Sequence, residues 1–178
     1  MNKAERIKNL RVAVLFTATF GFILFVRLIP LDLMPGQIAP PDILFALLVA
    51  LLVRRPRAVP MMLVAGLFLL NDILLQQPLG LWTLIVFAIS ELVRSSRSEV
   101  REMLFLSEWV WFAGLYGAAS AAHFALRIVL FIPRDPLTLV LPMIVFTIAI
   151  YPLAVLFLNL VFGVQKPVRR DFAGMSAR

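Results

Sequence analysis

Apolar runs separated by short Pro-rich, Arg-rich or otherwise polar breaks repeat along the whole chain. A basic start through Arg11 leads into an apolar run over 12–29, interrupted only by Thr17, Thr19 and Arg27. This run outlasts the apolar core of a secretory signal. Pro30, Asp32 and Pro35 follow it in place of a small-residue cleavage pattern, so it predicts a retained helix. Further runs predict spans over 41–55, 58–76, 78–93, 103–127 and 136–164, six helices in one domain over 1–178. An even number of crossings puts both termini on one side.

The breaks test that count independently. Lys3, Arg6, Lys8 and Arg11 precede the first run, and Arg54, Arg55 and Arg57 follow the second. Arg94, Arg97 and Arg101 follow the fourth, and Lys166, Arg169, Arg170 and Arg178 form the tail. Six crossings therefore place 14 of the 17 Lys and Arg on one side and leave Arg27, Arg127 and Arg134 on the other. By the positive-inside rule the predicted fold class is all-α, a polytopic membrane protein with six transmembrane helices and both termini cytoplasmic.

Two runs are short for this role. The second offers 11 uninterrupted apolar residues over 43–53, about 16 Å of helix against a need near 20 residues. Either the bilayer absorbs the mismatch, or one end of each short helix borders a protein-lined, partly wet vestibule. Pro40 and Pro41 are placed to start the second helix early, and Arg54 and Arg55 to snorkel to the inner surface. In the last run Pro142 and Pro152 predict a kink, and Asp135 and Pro136 suit a helix start.

Composition sharpens the class. Apolar residues make up 62% and charged ones 15%, with a mean hydropathy of +0.96, which excludes a water-soluble monomer. A formal charge of +7 could point to nucleic acid, but the basic residues punctuate hydrophobic runs and gather into no single patch, so that partner is excluded. With no Cys and one His, disulfides, thiolate zinc and multi-histidine centres are ruled out within one chain. No nucleophile elbow, P-loop or zinc-protease motif is present, so no enzyme, cofactor or metal is expected.

Charges at bilayer depth need a partner or a purpose. Asp72 and Asn71 fall in the outer third of the third span, at a depth shared by His123, Arg127 and Arg27. These five form a candidate outer polar cluster in which Asp72 meets Arg127 or Arg27. The fifth span carries Tyr116, Ser120, His123 and Arg127 on one face, with Gly114, Gly117, Ala118 and Ala121 at close-packing spacing. Gly114, Gly117, Ala118, Ala121 and Ser120 are thus a candidate seam, internal or for a partner. Glu91, Glu108, Trp109 and Trp111 suit the inner headgroup belt.

Between Pro40 and Gly80 the sequence takes on a familiar layout. Pro41-Asp42 leads into a short apolar helix, then an Arg-rich link, then a helix carrying Asp72 with Leu79-Gly80 behind it. This resembles the rod shape-determining MreD family, in size and span number as well as motif. One position departs: Phe68 stands where that family commonly has Gly. The resemblance implies a non-enzymatic scaffold of the bacterial inner membrane within the complex that elongates the side wall and maintains cell shape. MreC would be its closest partner, with the peptidoglycan transpeptidase and glycosyltransferase and membrane lipids nearby. The seam and the outer segment 30–41 would be candidate contacts for MreC. The implied fold is similar to the substrate-binding subunits of energy-coupling-factor transporters, which supplies the alternative of a small-molecule, vitamin-type binding subunit.

Overall fold

A computed structural model describes residues 3–29, 40–133 and 136–163. Among these the chain is all-helical: α1 (Lys3–Leu28), α2 (Ile43–Arg54), α3 (Met61–Leu74), α4 (Leu81–Ser95), α5 (Arg97–Glu102), α6 (Phe105–Val129) and α7 (Leu137–Phe162), with one 3-10 turn, Pro56–Ala58, after α2. The segment 30–39, Arg134, Asp135 and the basic tail from 164 onward, on all of which expectations were placed, lie outside the described residues.

Three helices, α1, α6 and α7, are long and apolar enough to cross a membrane. Only 22% of the apolar window of each is buried, so most of their apolar surface faces outward, the build of a membrane protein. On α1 the inward stripe is narrow, Val12, Phe16, Phe20 and Leu24 at every fourth position, while Val14, Phe22 and Phe25 are exposed. Phe20 stacks edge-on against Phe68 of α3 at 5.3 Å, so the position where the resembled family has glycine is filled by an aromatic contact.

The short second helix behaves in the opposite way. Every residue from Leu44 to Arg54 is buried, because α4, α5, α7 and the 3-10 turn surround α2. A helix apolar on all sides belongs inside a protein, and one solvated by protein need not match the bilayer in length. α2 begins after the prolines, with the Asp42 carboxylate accepting from the Phe45 N–H at 3.1 Å as its N-cap, so Pro40 and Pro41 do not start the helix early.

Helix α7 runs on through both prolines. Its buried stripe, Thr147, Tyr151, Ala154, Val155 and Leu158, lies along α2. Pro152 has no N–H to give to the carbonyl of Ile148, and the indole N–H of Trp109 donates to that carbonyl at 2.8 Å. Trp109 and Trp111, expected in the headgroup belt, are half-buried and pack against the core. α5, a single charged turn and a half in the Arg-rich link, was not anticipated. Its Val100 is buried and covers the C-terminal end of α2.

Candidate functional site

Both ends of α2 carry buried polar chemistry, and the two ends differ. At the C-terminal end Arg54 occupies the last helical turn, where the macrodipole favours a cation. Its Nη1 donates to the carbonyl of Ala50 at 3.0 Å and to Glu108 Oε1 of α6 at 2.9 Å. The Tyr151 hydroxyl donates to the same Glu108 oxygen at 2.6 Å, and the Tyr151 ring stacks on Phe112 with centroids 4.0 Å apart. Glu108 is fully buried. The expectation for Arg54 is thus corrected: it does not snorkel, and Glu108, near the start of α6, is turned inward to meet it. A central helix leaves its terminal arginine no water to reach, so the charge is neutralised by a carboxylate brought from another helix. Nearby, Arg94 of α4 donates to the carbonyls of Pro56 and Val59 and ties down the link between α2 and α3. Burial lowers its guanidinium from the usual arginine value, and Glu91 opposes that shift.

The N-terminal end of α2 opens on a cleft of about 380 Å3. Arg27 at the end of α1 donates from Nη2 to the carbonyl of Pro41, and the Asp42 N–H donates to Thr147 Oγ1 of α7 at 2.9 Å. Arg27, Asp42, Asn71, Ser120, His123 and Arg127 all line this space, with Gln76 and Gln77 from the turn after α3. Trp82 forms part of its wall and meets the His123 ring edge-on at 5.3 Å. Gln76 adopts φ +53°, a left-handed backbone uncommon for a residue with a side chain, at the cleft rim. Arg127 Nη2 donates to the carbonyl of Pro133.

Four of the five residues expected in an outer cluster, Asn71, His123, Arg127 and Arg27, therefore meet around one cleft. Asp72 does not line it. Neighbouring helical positions point about 100° apart, so when Asn71 faces the cleft Asp72 must face elsewhere. Its Oδ2 accepts from the Thr83 N–H at 3.2 Å and from Thr83 Oγ1 at 2.8 Å, and no ion pair with Arg127 or Arg27 forms. Thr83 is the third residue of α4, whose N-cap, Gly80, has φ +78° and no side chain to offer. Asp72 is thus a cap supplied from α3 to the start of α4. That accounts physically for an aspartate followed eight residues later by glycine.

The seam residues face outward. Gly114, Ala118 and Ala121 are exposed, and a methyl group built on Gly114 or Gly117 meets no atom within 4 Å. Half-buried Ser120 turns instead toward the cleft. A second, apolar hollow of about 360 Å3 lies beside α1 and α7, lined by Phe22, Ile23, Leu47, Ile150 and Phe157. Among the described residues no group of three His, Cys, Asp or Glu side chains is placed to hold a metal ion. Sequence reasoning missed Asp42, Arg54, Glu108, Thr147 and Tyr151 as a set. Their partners lie up to 105 residues apart, and only an all-apolar helix with a charge at each end hinted at them.

Comparison of the chain with protein-family models, with curated proteins and with solved structures finds no match.

Proposed function

We propose that the chain is a non-enzymatic scaffold of the bacterial inner membrane that binds MreC within the cell-elongation complex and supports side-wall peptidoglycan synthesis. The observation that carries this reading is the uncovered face of α6. Gly114, Ala118 and Ala121 sit in the middle of a helix long enough to span lipid and are exposed among the described residues. Small residues there let another helix approach closely, which suits a partner with a single transmembrane helix. In this reading α2, α3 and α4 complete six passes, shortened because protein solvates α2, and both termini are cytoplasmic. The transpeptidase and glycosyltransferase of the complex would join through MreC.

The test is affinity purification of tagged chain from cells carrying MreC. Wild type should retain MreC, whereas Gly114→Leu or Ala118→Leu should lose it while the chain itself stays monodisperse. Undiminished MreC with both variants would contradict the reading. The cleft at the outer end of α2 favours a second reading, the small-molecule, vitamin-type binding subunit of a membrane transporter. Purified chain that retains a vitamin-like ligand and no MreC would select it.

A further inference from the structure

The cleft at the N-terminal end of α2 contains a polar group that the fold leaves unmatched. Asn71 is 4% exposed and lines the cleft, yet its Oδ1 accepts no hydrogen bond. A buried acceptor left unpaired costs on the order of 1–3 kcal/mol, so a donor is expected to reach it. Arg27 lines the same space. Its guanidinium carries five donors in a planar fork, and the bond to the Pro41 carbonyl from Nη2 orients it. Asp42 is the one carboxylate among the described lining residues, and Arg27 stands over it at the end of α1.

The surroundings of this polar centre are apolar. Phe124, Val140, Met143 and Ile144 form the wall along α6 and α7. Leu79 and Phe131, in the turns after α3 and α6, are 73% and 96% exposed. A polar centre with a guanidinium and one unmet acceptor, walled along α6 and α7 by hydrocarbon, matches an amphiphile better than a wholly hydrated solute. Its volume falls within the roughly 300–1,000 Å3 usual for small-molecule sites.

We propose that this cleft holds the phosphate-bearing head of an amphiphile, the Arg27 guanidinium taking the phosphate and Asn71 Oδ1 taking a hydroxyl or ammonium donor beside it. The guanidinium fork fits phosphate oxygens, and the amide oxygen discriminates between heads that carry a donor and heads that carry none. The residues of this site differ from Gly114, Ala118 and Ala121 of the proposed MreC contact, so failure of one reading leaves the other standing.

The full chain, purified in detergent and stripped of lipid, is titrated with dioleoyl phosphatidylglycerol, phosphatidylethanolamine and phosphatidylcholine, with bound lipid counted by native mass spectrometry. The first two heads offer a donor near the phosphate and the third offers none, so the first two should bind about tenfold tighter. Arg27→Gln should weaken all three about tenfold. Asn71→Leu should abolish the preference and leave phosphatidylcholine binding unchanged. Gln77→Ala, at an exposed rim position, decides the matter if Arg27→Gln fails to fold; it should weaken binding about threefold. Displacement of bound lipid by millimolar glycerol phosphate would assign the head to a soluble phosphate ester, and its failure to compete would assign it to a lipid. Equal binding of the three lipids by wild type, or folded variants that bind as wild type does, would overturn the proposal.

Discussion

The two ends of α2 pose one problem and solve it differently. Each brings a charged residue, Asp42 or Arg54, to the end of a helix that is buried all round. At the Arg54 end the charge is closed off by Glu108, Tyr151 and the packed rings behind them, with Arg54 Nε left without a partner inside that packing. At the Asp42 end the backbone is capped, but the surrounding side chains stand back around a cleft and Asn71 keeps an unmet acceptor. A polar group packed in by an ion pair and rings serves the fold, even where one of its atoms goes unmet. One that borders space and lacks a partner can serve a ligand. The comparison therefore separates a structural pin from a candidate site along a single helix.

The largest effect should come from breaking the pin. Glu108→Ala leaves Arg54 buried without its carboxylate, and we expect a loss of about 3–5 kcal/mol, seen as collapse of the yield of folded protein in detergent. The triple variant Arg54→Met, Glu108→Leu and Tyr151→Phe should recover most of that loss, because it replaces the buried pair and the hydroxyl bonded to it by apolar groups of similar size. Next comes the cap on α4. Asp72→Ala should cost about 1–2 kcal/mol in thermal unfolding, and Arg127→Glu should not alter that cost, since Asp72 bonds Thr83. Smaller again, Trp109→Phe should cost about 1–2 kcal/mol by orphaning the Ile148 carbonyl. The loss should shrink when Pro152→Ala restores the helical N–H, so the pair should be non-additive in a double-mutant cycle. The smallest change belongs to the open end. Asn71→Leu removes an unpaired acceptor and should leave stability within about 0.5 kcal/mol of wild type, or raise it.

How far the sequence reached follows from the same contrast. The helices were legible because Pro, Gly and Arg breaks punctuate runs of hydrocarbon, and the long ones, α1, α6 and α7, announce themselves by length. The cleft was legible in outline, since Asn71, His123, Arg127 and Arg27 share a depth when successive helices run in opposite directions. Which of Asn71 and Asp72 faces it was not, because adjacent residues have equal claim until α4 is docked. The short run at 43–53 was read through lipid thickness. Its even hydrophobicity was itself the sign of a helix wrapped by protein. Arg54 beside Glu108 was beyond reach, for nothing local links positions 54 residues apart.

In the proposed topology the two ends of α2 lie toward opposite faces of the membrane, the open one outward. Because the chain has no cysteine, an introduced one is the only thiol present. Gln77→Cys, beside the cleft, and Ser98→Cys, in α5 beneath the Arg54 end, are both at exposed positions. With a membrane-impermeant maleimide on intact cells, Gln77→Cys should label fully and Ser98→Cys should label only after the membrane is opened. Labelling of Ser98→Cys in intact cells, with Gln77→Cys protected, would contradict the account.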